Sequence, residues 1–312
     1  MSKTAWLFPG QGSQAVGMGM AFAEAEPASA KILKEADDAL GFALSKIMAE
    51  GPEETLKLTE HTQPAILTHS TMAVRACWDR LPKPDFVAGH SLGEYSALVA
   101  AGSISYADAV RTVRERGRAM QAAVPVGVGA MAAIIGMAPS DVEAGCLEAA
   151  ASTGKIVVPA NYNGAGQVVI AGHVEAVDAA IEALKGKGGR KMVKLPVSAP
   201  FHSPLMGPAQ KAMEPILNAL DIKSPICPLV NNVDAAPVTE PQALRDGLMR
   251  QVPGAVRWED IMKFLLAQDV TTFIELGPGK VLSGIASRMA KEAGVEAKPI
   301  SIGDPAGLDS LA

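Results

Sequence analysis

Gly89-His90-Ser91-Leu92-Gly93 sits between Asp85-Phe86-Val87-Ala88, a short apolar run of strand character, and Tyr95-Ser96-Ala97-Leu98-Val99-Ala100-Ala101, an apolar run of helical length. A Gly-x-Ser-x-Gly between strand and helix demands a turn so tight that only glycines fit beside the serine. Such a turn lifts the serine hydroxyl off the sheet edge and aims a helix N-terminus, with its unpaired N–H groups, at the same point. The reading is a nucleophile elbow with Ser91 as its reactive residue. The competing reading, a glycine-flanked serine in an ordinary loop, loses weight because strand and helix flank it in the required order.

Around that elbow the chain alternates. The pattern predicts a strand at 4–8, a helix near 27–40, helices at 62–80, 92–101 and 106–121, and strands at 85–88, 226–230 and 271–276. Alternation of this kind favours a parallel sheet covered by helices. The middle differs. Strand 130–136, a helix from Pro139 to about Ala151, strands 156–161 and 167–171 joined by Asn163-Gly164-Ala165-Gly166, a helix from Val174 to Lys185 and strand 191–197 give the order βαββαβ. That is the split, ferredoxin-like unit. The expected fold is therefore α/β, a hydrolase-like parallel-sheet core (1–127 and 198–312) with an inserted ferredoxin-like α+β subdomain (128–197). The Ala/Gly-rich tail after about 290 is expected to be loosely held.

With 312 residues, 48% of them hydrophobic, the chain can bury a large core. Its net charge of −5 argues against nucleic acid or an anionic membrane as partner. No apolar run approaches the length of about 20 residues that a bilayer span needs. Cys77, Cys146 and Cys227 are scattered, which suits a reducing compartment and offers no zinc site; the histidines show no metal-ligand spacing. A cytoplasmic monomer without a metal is expected.

Serine needs a base. His90 adjoins Ser91 but points elsewhere from an elbow. His202, in Ala199-Pro200-Phe201-His202-Ser203-Pro204, follows a strand late in the chain, where hydrolase-type folds place the base. No Asp stands out as a third member, so a carbonyl could orient the imidazole instead. In Phe8-Pro9-Gly10-Gln11-Gly12-Ser13-Gln14, a glycine turn at a strand's end, Gln11 could join the Leu92 N–H in an oxyanion hole; a plain tight turn is the alternative. On the helix from Ser105, Val110, Val113, Gly117 and Met120 form the apolar stripe, Arg111, Arg114 and Arg118 the opposite face, and Arg116 the stripe's edge. A guanidinium there needs a carboxylate, either from a protein Asp or Glu or from a substrate. Asn161 and Asn163 read as turn residues. Lys185, Lys187, Arg190, Lys191 and Lys194 read as a solvated face or as a docking site for an acidic partner.

Together Phe8–Gln14, Thr62-Gln63-Pro64-Ala65, Gly89–Ser96, Arg116-Gly117, Phe201-His202 and Glu275-Leu276-Gly277-Pro278-Gly279 resemble, in order and over nearly the whole chain, the malonyl-CoA:acyl carrier protein transacylase family. The resemblance implies Ser91 as acyl carrier, His202 as its base, backbone amides of Gln11 and Leu92 as the oxyanion hole, and Arg116 as the grip on a free carboxylate. It implies that the Gln251 main-chain carbonyl orients the histidine, and that Phe201 is the malonyl-selecting form of its motif. Asn161 and His90 join Gln251, Phe201 and Arg116 as substrate-binding candidates. No cofactor is implied: CoA is part of the substrate, and phosphopantetheine belongs to the acyl carrier protein. The activity implied is ping-pong transfer of malonyl from malonyl-CoA to that carrier for fatty acid synthesis. A serine hydrolase, sharing Ser91 and His202, and a carrier-binding scaffold without turnover are the rival readings.

Overall fold

Three neighbouring strands that end at one edge set the position of everything else. In a computed structural model describing residues 2–197 and 199–311, the larger sheet has the order β10-β9-β1-β2-β7-β8. Its strands are β1 (Lys3–Phe8), β2 (Phe86–Gly89), β7 (Leu229–Val230), β8 (Pro237–Val238), β9 (Val270–Leu276) and β10 (Lys298–Ile302). All neighbours run parallel except β8 against β7. Phe8 pairs with Gly89 and Leu7 with Glu275, so the carboxyl ends of β1, β2 and β9 lie side by side. The glycine turns after Phe8, Gly89 and Leu276 therefore converge, at the edge where open α/β sheets bind ligands.

β1 and β2 are buried almost throughout, as expected of strands covered on both faces. Helix Thr59–Cys77 lies on one face with only a few positions open to solvent, and Trp258, Ile261, Met262 and Leu265 of helix Trp258–Ala267 pack in the cluster on the other. The smaller sheet has β3 (Gly129–Ile135), β4 (Val157–Gly164), β5 (Gln167–His173) and β6 (Lys191–Lys194) in the order β4-β5-β3-β6, all antiparallel. Helices Pro139–Thr153 and Val174–Gly186 cover it and give it a separate apolar core. This is the ferredoxin-like arrangement. β4 meets the larger unit through Val256, whose N–H donates to Ala160 and whose carbonyl accepts from Tyr162, each at 2.9 Å.

Four expectations are corrected. The tail after about 290 is not loose: Lys298–Ile302 pairs with Thr272–Leu276 as the sheet's edge strand, and Leu308 beyond it is buried. Its pattern was hidden because Pro299 and an edge strand's open side weaken alternation. The hairpin turns at Ala165-Gly166 rather than at Asn163, because both residues take positive φ and β4 runs on through Gly164. The helix expected at 62–80 starts at Thr59 and ends at Cys77. β6 stops at Lys194, with one further bond from the Leu195 N–H to Met131. The expected junction at 198, like the chain ends at 1 and 312, lies outside the described residues.

The basic run on the insertion is partly neutralised by its own acids: Lys185 pairs with Glu182, Lys187 with Glu148 and Lys194 with Asp178. Among the described residues no helix is long and apolar enough to cross a membrane.

The elbow glycines are held by close approach rather than by φ. A Cβ on Gly93 would lie 2.1 Å from the Phe8 carbonyl oxygen, and one on Gly89 1.9 Å from the Gly93 backbone. Gly93→Ala should therefore push helix Gly93–Ala100 off β1 and cost at least about 2 kcal/mol. A chemical denaturation midpoint equal to that of the unsubstituted protein would contradict this packing.

Candidate active site

Ser91 sits where β2 turns into helix Gly93–Ala100, and it is held at φ 51°, in the left-handed region that a serine rarely adopts. The strain is balanced locally. Its N–H donates to Asn232 Oδ1 at 2.7 Å, and Asn232 Nδ2 donates to the Gly89 carbonyl at 2.7 Å, so one side chain clamps both ends of the turn. His202 is also left-handed, at φ 57°. Two strained residues facing each other are a common mark of a functional site.

The Ser91 hydroxyl lies 2.7 Å from His202 Nε2. His202 Nδ1 faces the main-chain carbonyls of Gln251 and Gly254, both at 3.0 Å. Two acceptors there require a proton on Nδ1, which leaves Nε2 as the acceptor for the serine proton. The imidazole is thus oriented as a general base by carbonyls, with no carboxylate among the described residues in the third position. Burial, and next the charge of Arg116, hold its pKa down at about 3, so the neutral, proton-accepting form persists far into acid.

Arg116 is the unusual group. It is 1% exposed, on helix Tyr106–Ala122, which Ser105 caps through the Asp108 N–H. Its guanidinium donates to Gln63 Oε1 and Gln251 Oε1, both at 2.8 Å, and to the Ser91 hydroxyl oxygen at 3.2 Å. Its carbon stands 5.7 Å from the centre of the Tyr95 ring. The protein carboxylate expected as one alternative is missing: among the described residues none lies within ion-pair distance of Arg116, and its Nε–H has no acceptor. Burying an unpaired guanidinium costs several kcal/mol. The site therefore keeps a dry cation whose neighbours are amides and a hydroxyl. Of the arginines placed on the opposite face, Arg111 and Arg118 pair with Asp108 and Glu115, whereas Arg114 is half-buried over the Phe42 ring at 4.2 Å with the Glu60 carboxylate 3.9 Å away.

A cavity of about 330 Å³ opens on Ser91. Gln11 and Leu92 line it; the Gln11 side chain donates to Thr59 Oγ1 at 3.3 Å, and among the described residues neither main-chain N–H donates to a protein acceptor. Two free N–H groups beside a nucleophile, one at a helix N-terminus, can hold an oxyanion. Phe201, Met120, Met131 and Val197 form an apolar wall; Val281, Leu282 and Ile285 form another. The Glu275–Gly279 motif serves that second wall. The buried Glu275 carboxylate accepts the N–H groups of Leu282 and Ser283, at 3.2 and 2.8 Å, and so caps helix Val281–Glu292.

His90 points away from Ser91 and lies 2.9 Å from Asn163 Oδ1, joining the elbow to the inserted sheet. Asn161 and Asn163 are strand residues lining the cavity and not turn residues. Three residues at the site were not singled out from sequence. Gln63 lies in a quoted motif, and its spacing says nothing of its partner. Glu94 reads as a polar residue opening a helix. Asn232 follows a two-residue strand that carries no periodic signal.

The chain is similar along nearly its whole length to proteins of known family and structure. The family model described as acyl transferase domain matches residues 5–303. The chain is 45% identical over 311 residues to the malonyl CoA-acyl carrier protein transacylase of Bacillus subtilis (strain 168), covering 99% of this chain and 96% of that one. It superposes with a TM-score of 0.94 on the crystal structure of an acyl-carrier-protein S-malonyltransferase from Burkholderia pseudomallei 1710b, at 46% identity and 99% coverage of both chains. It also superposes, at 0.94 and 41% identity with 99% coverage of both, on a malonyl-transacylase solved in complex with a type II PKS acyl-carrier protein.

Because the base stays neutral, the rate at which a neutral, serine-directed organophosphonate modifies Ser91 should be level from about pH 5 to 8, without a limb at the ordinary histidine value of about 6.5. Intact-mass measurement against time checks it. A rate that falls about tenfold between pH 7 and 5.5 would contradict the buried, desolvated imidazole.

Proposed function

The chain belongs to the acyl transferase domain family, and we propose from that premise that Ser91, His202 and Arg116 carry out malonyl transfer in it. The protein is an acyltransferase that moves malonyl from malonyl-CoA to the phosphopantetheine thiol of acyl carrier protein, through a malonyl-serine ester. The observation that carries the reading is the buried Arg116 guanidinium, without an ion-paired carboxylate among the described residues and 3.2 Å from the nucleophile's oxygen.

In the first half-reaction, His202 Nε2 takes the Ser91 proton while Oγ attacks the thioester carbonyl. The Gln11 and Leu92 N–H groups meet the developing oxyanion. The tetrahedral intermediate collapses with loss of the CoA thiolate, to which the imidazolium returns the proton. In the second half, the carrier's thiol gives its proton to His202, attacks the ester carbonyl, and Ser91 leaves with that proton. The chemistry calls for no cofactor, because the thioester arrives already activated.

Arg116 sets the substrate by distance. From Oγ through the ester carbon and one methylene to a carboxylate, and then across a hydrogen bond, spans about 6 Å. A guanidinium already touching Oγ can take that carboxylate once the Nη2–Oγ bond gives way. A monocarboxylic acyl group leaves the cation unpaired. A longer dicarboxylate carries its carboxylate past the guanidinium, within a cavity lined also by Met120, Met131 and Phe201. Gln251 fixes both centres, its side chain holding Arg116 and its carbonyl holding His202. Asn161 and His90, which also line the cavity, are assigned to binding of the rest of the thioester.

The proposal extends to organisation and place. Residues 128–197 form one unit and 1–127 with 198–312 the other, supported by β3–β6 pairing as their own sheet. The enzyme works in the cytoplasm and supplies fatty acid synthesis. The hydrolase reading is weakened by the retained dry cation, which ester hydrolysis does not need.

Incubation with malonyl-CoA alone should add one malonyl group to the intact mass of the protein and none to Ser91→Ala. Accumulation of free malonate without an adduct would favour a hydrolase. Arg116→Ala should lower acylation by malonyl-CoA by at least about 30-fold relative to acetyl-CoA, the loss expected when one member of a buried charge pair is removed. Unchanged selectivity in a competition of the two thioesters would refute the role of Arg116.

A further inference from the structure

The dry cation poses a question that the transfer reaction leaves open: what balances Arg116 when no substrate is present? The nearest answer lies one side chain away. Glu94, in the first turn of helix Gly93–Ala100, is buried to 1% exposure. Its Oε2 accepts the Asn232 N–H at 2.9 Å and the Gln251 Nε2–H at 3.0 Å, and its Oε1 has no partner among the described residues. The same Gln251 nitrogen donates to the Ser91 carbonyl at 2.9 Å, while the Gln251 oxygen accepts from Arg116 at 2.8 Å.

An ionised carboxylate can only accept. With Glu94 and the Ser91 carbonyl on one side, the Gln251 amide has a single satisfied orientation: nitrogen toward Glu94, oxygen toward Arg116. The flipped amide would set oxygen against carboxylate and N–H against guanidinium. The result is a continuous chain, carboxylate to amide to guanidinium, in a site where hydrogen bonds polarise one another. Glu94 also anchors the Asn232 backbone, and the Asn232 side chain clamps strained Ser91.

We propose that Glu94 is a positioning residue that supplies the counter-charge of Arg116 across the Gln251 amide, balancing the cation while leaving its fork open to the substrate's carboxylate. A carboxylate touching Arg116 directly would stabilise it as well and occupy the place the substrate must take. This inference rests on the malonyl-transfer reading and adds to it how the empty site tolerates its charge.

A consequence follows for pH. Burial raises the Glu94 carboxyl to about 7, against the opposing pull of its hydrogen bonds from Asn232 and Gln251 and of Arg116. The charged and titratable groups facing it are Arg116, Tyr95, Asp234 and Arg250. Burial pushes Tyr95 up to about 12, and the Arg250 hydrogen bond draws Asp234 down to about 2, so neither changes charge near neutrality. A raised carboxyl is neutral in acid, where its O–H can donate to a flipped Gln251 amide, and ionises as pH rises, so the orientation it imposes on Gln251 is complete only on the alkaline side.

The test compares initial rates of Ser91 acylation by malonyl-CoA and acetyl-CoA, read by intact mass, in the full-length protein, in Glu94→Gln, in Arg116→Ala and in the double variant. The ratio cancels effects shared by both thioesters, the His202 base included. In Glu94→Gln the new amide can itself donate, so the Gln251 amide is no longer held with its oxygen on Arg116, and the malonyl-to-acetyl ratio should fall about tenfold or more, the range found when outer partners that orient metal ligands are lost. In the Arg116→Ala background the same change should leave the ratio where Arg116→Ala puts it. An unaltered ratio in Glu94→Gln, or an equal drop with and without Arg116, would overturn the proposal and leave Glu94 a fold-holding residue. Should Glu94→Gln not fold, the wild type decides: its ratio should climb between about pH 6 and 8, and a flat ratio overturns the proposal. Wild type that takes up no malonyl group at any pH would overturn the transfer reading too, whereas acylation with a flat ratio removes Glu94 alone.

Discussion

A full positive charge kept out of water next to a serine hydroxyl is the constraint around which this molecule is arranged. Arg116 is buried by helix Tyr106–Ala122, held by the oxygens of Gln63 and Gln251, and backed by the Tyr95 ring. Left in an apolar interior it would cost several kcal/mol. The protein meets this with oriented dipoles from three separate segments, and every one of them has to be placed to within hydrogen-bond tolerance. Gln63 comes from helix Thr59–Cys77, Gln251 from the end of helix Pro241–Gln251, and Ser91 from the elbow. Their convergence explains why a large, helix-covered sheet surrounds so small a reacting group.

Gln251 is where binding and chemistry are joined. Its side chain orders the guanidinium and its carbonyl orders the imidazole, so a displacement of this one helix end moves both. The absence of a carboxylate behind His202 fits the same constraint. A second buried carboxylate beside Arg116 would compete for the cation. Carbonyls orient the ring through Nδ1 without adding charge. The proximity of Arg116 in turn depresses the imidazole and favours the base form.

The sequence made some of this legible and concealed the rest for physical reasons. The elbow could be read because its glycines are forced by backbone contact, and close approach leaves no residue alternative. The βαββαβ insertion could be read because period-two and period-3.6 patterns switch within short distances. Arg116 could be singled out by its position on a helical wheel, and its partners could not: amides carry no periodic signature. Gln63, Glu94 and Asn232 act through pairings 19 to 157 residues apart in sequence, such as Glu94 with Asn232 at 138, which local pattern does not encode. The edge strand at Lys298–Ile302 was missed because its pairing with β9, and not its composition, orders it.

A crystal structure of the protein after reaction with malonyl-CoA would show directly where the malonyl carboxylate lies. An ester on Ser91 Oγ is expected whose free carboxylate lies on the Arg116 guanidinium, with the Arg116–Ser91 hydrogen bond replaced and the Gln251 oxygen still on the cation. An ester whose carboxylate points to solvent, with the Arg116 contacts of the free protein unchanged, would contradict this placement.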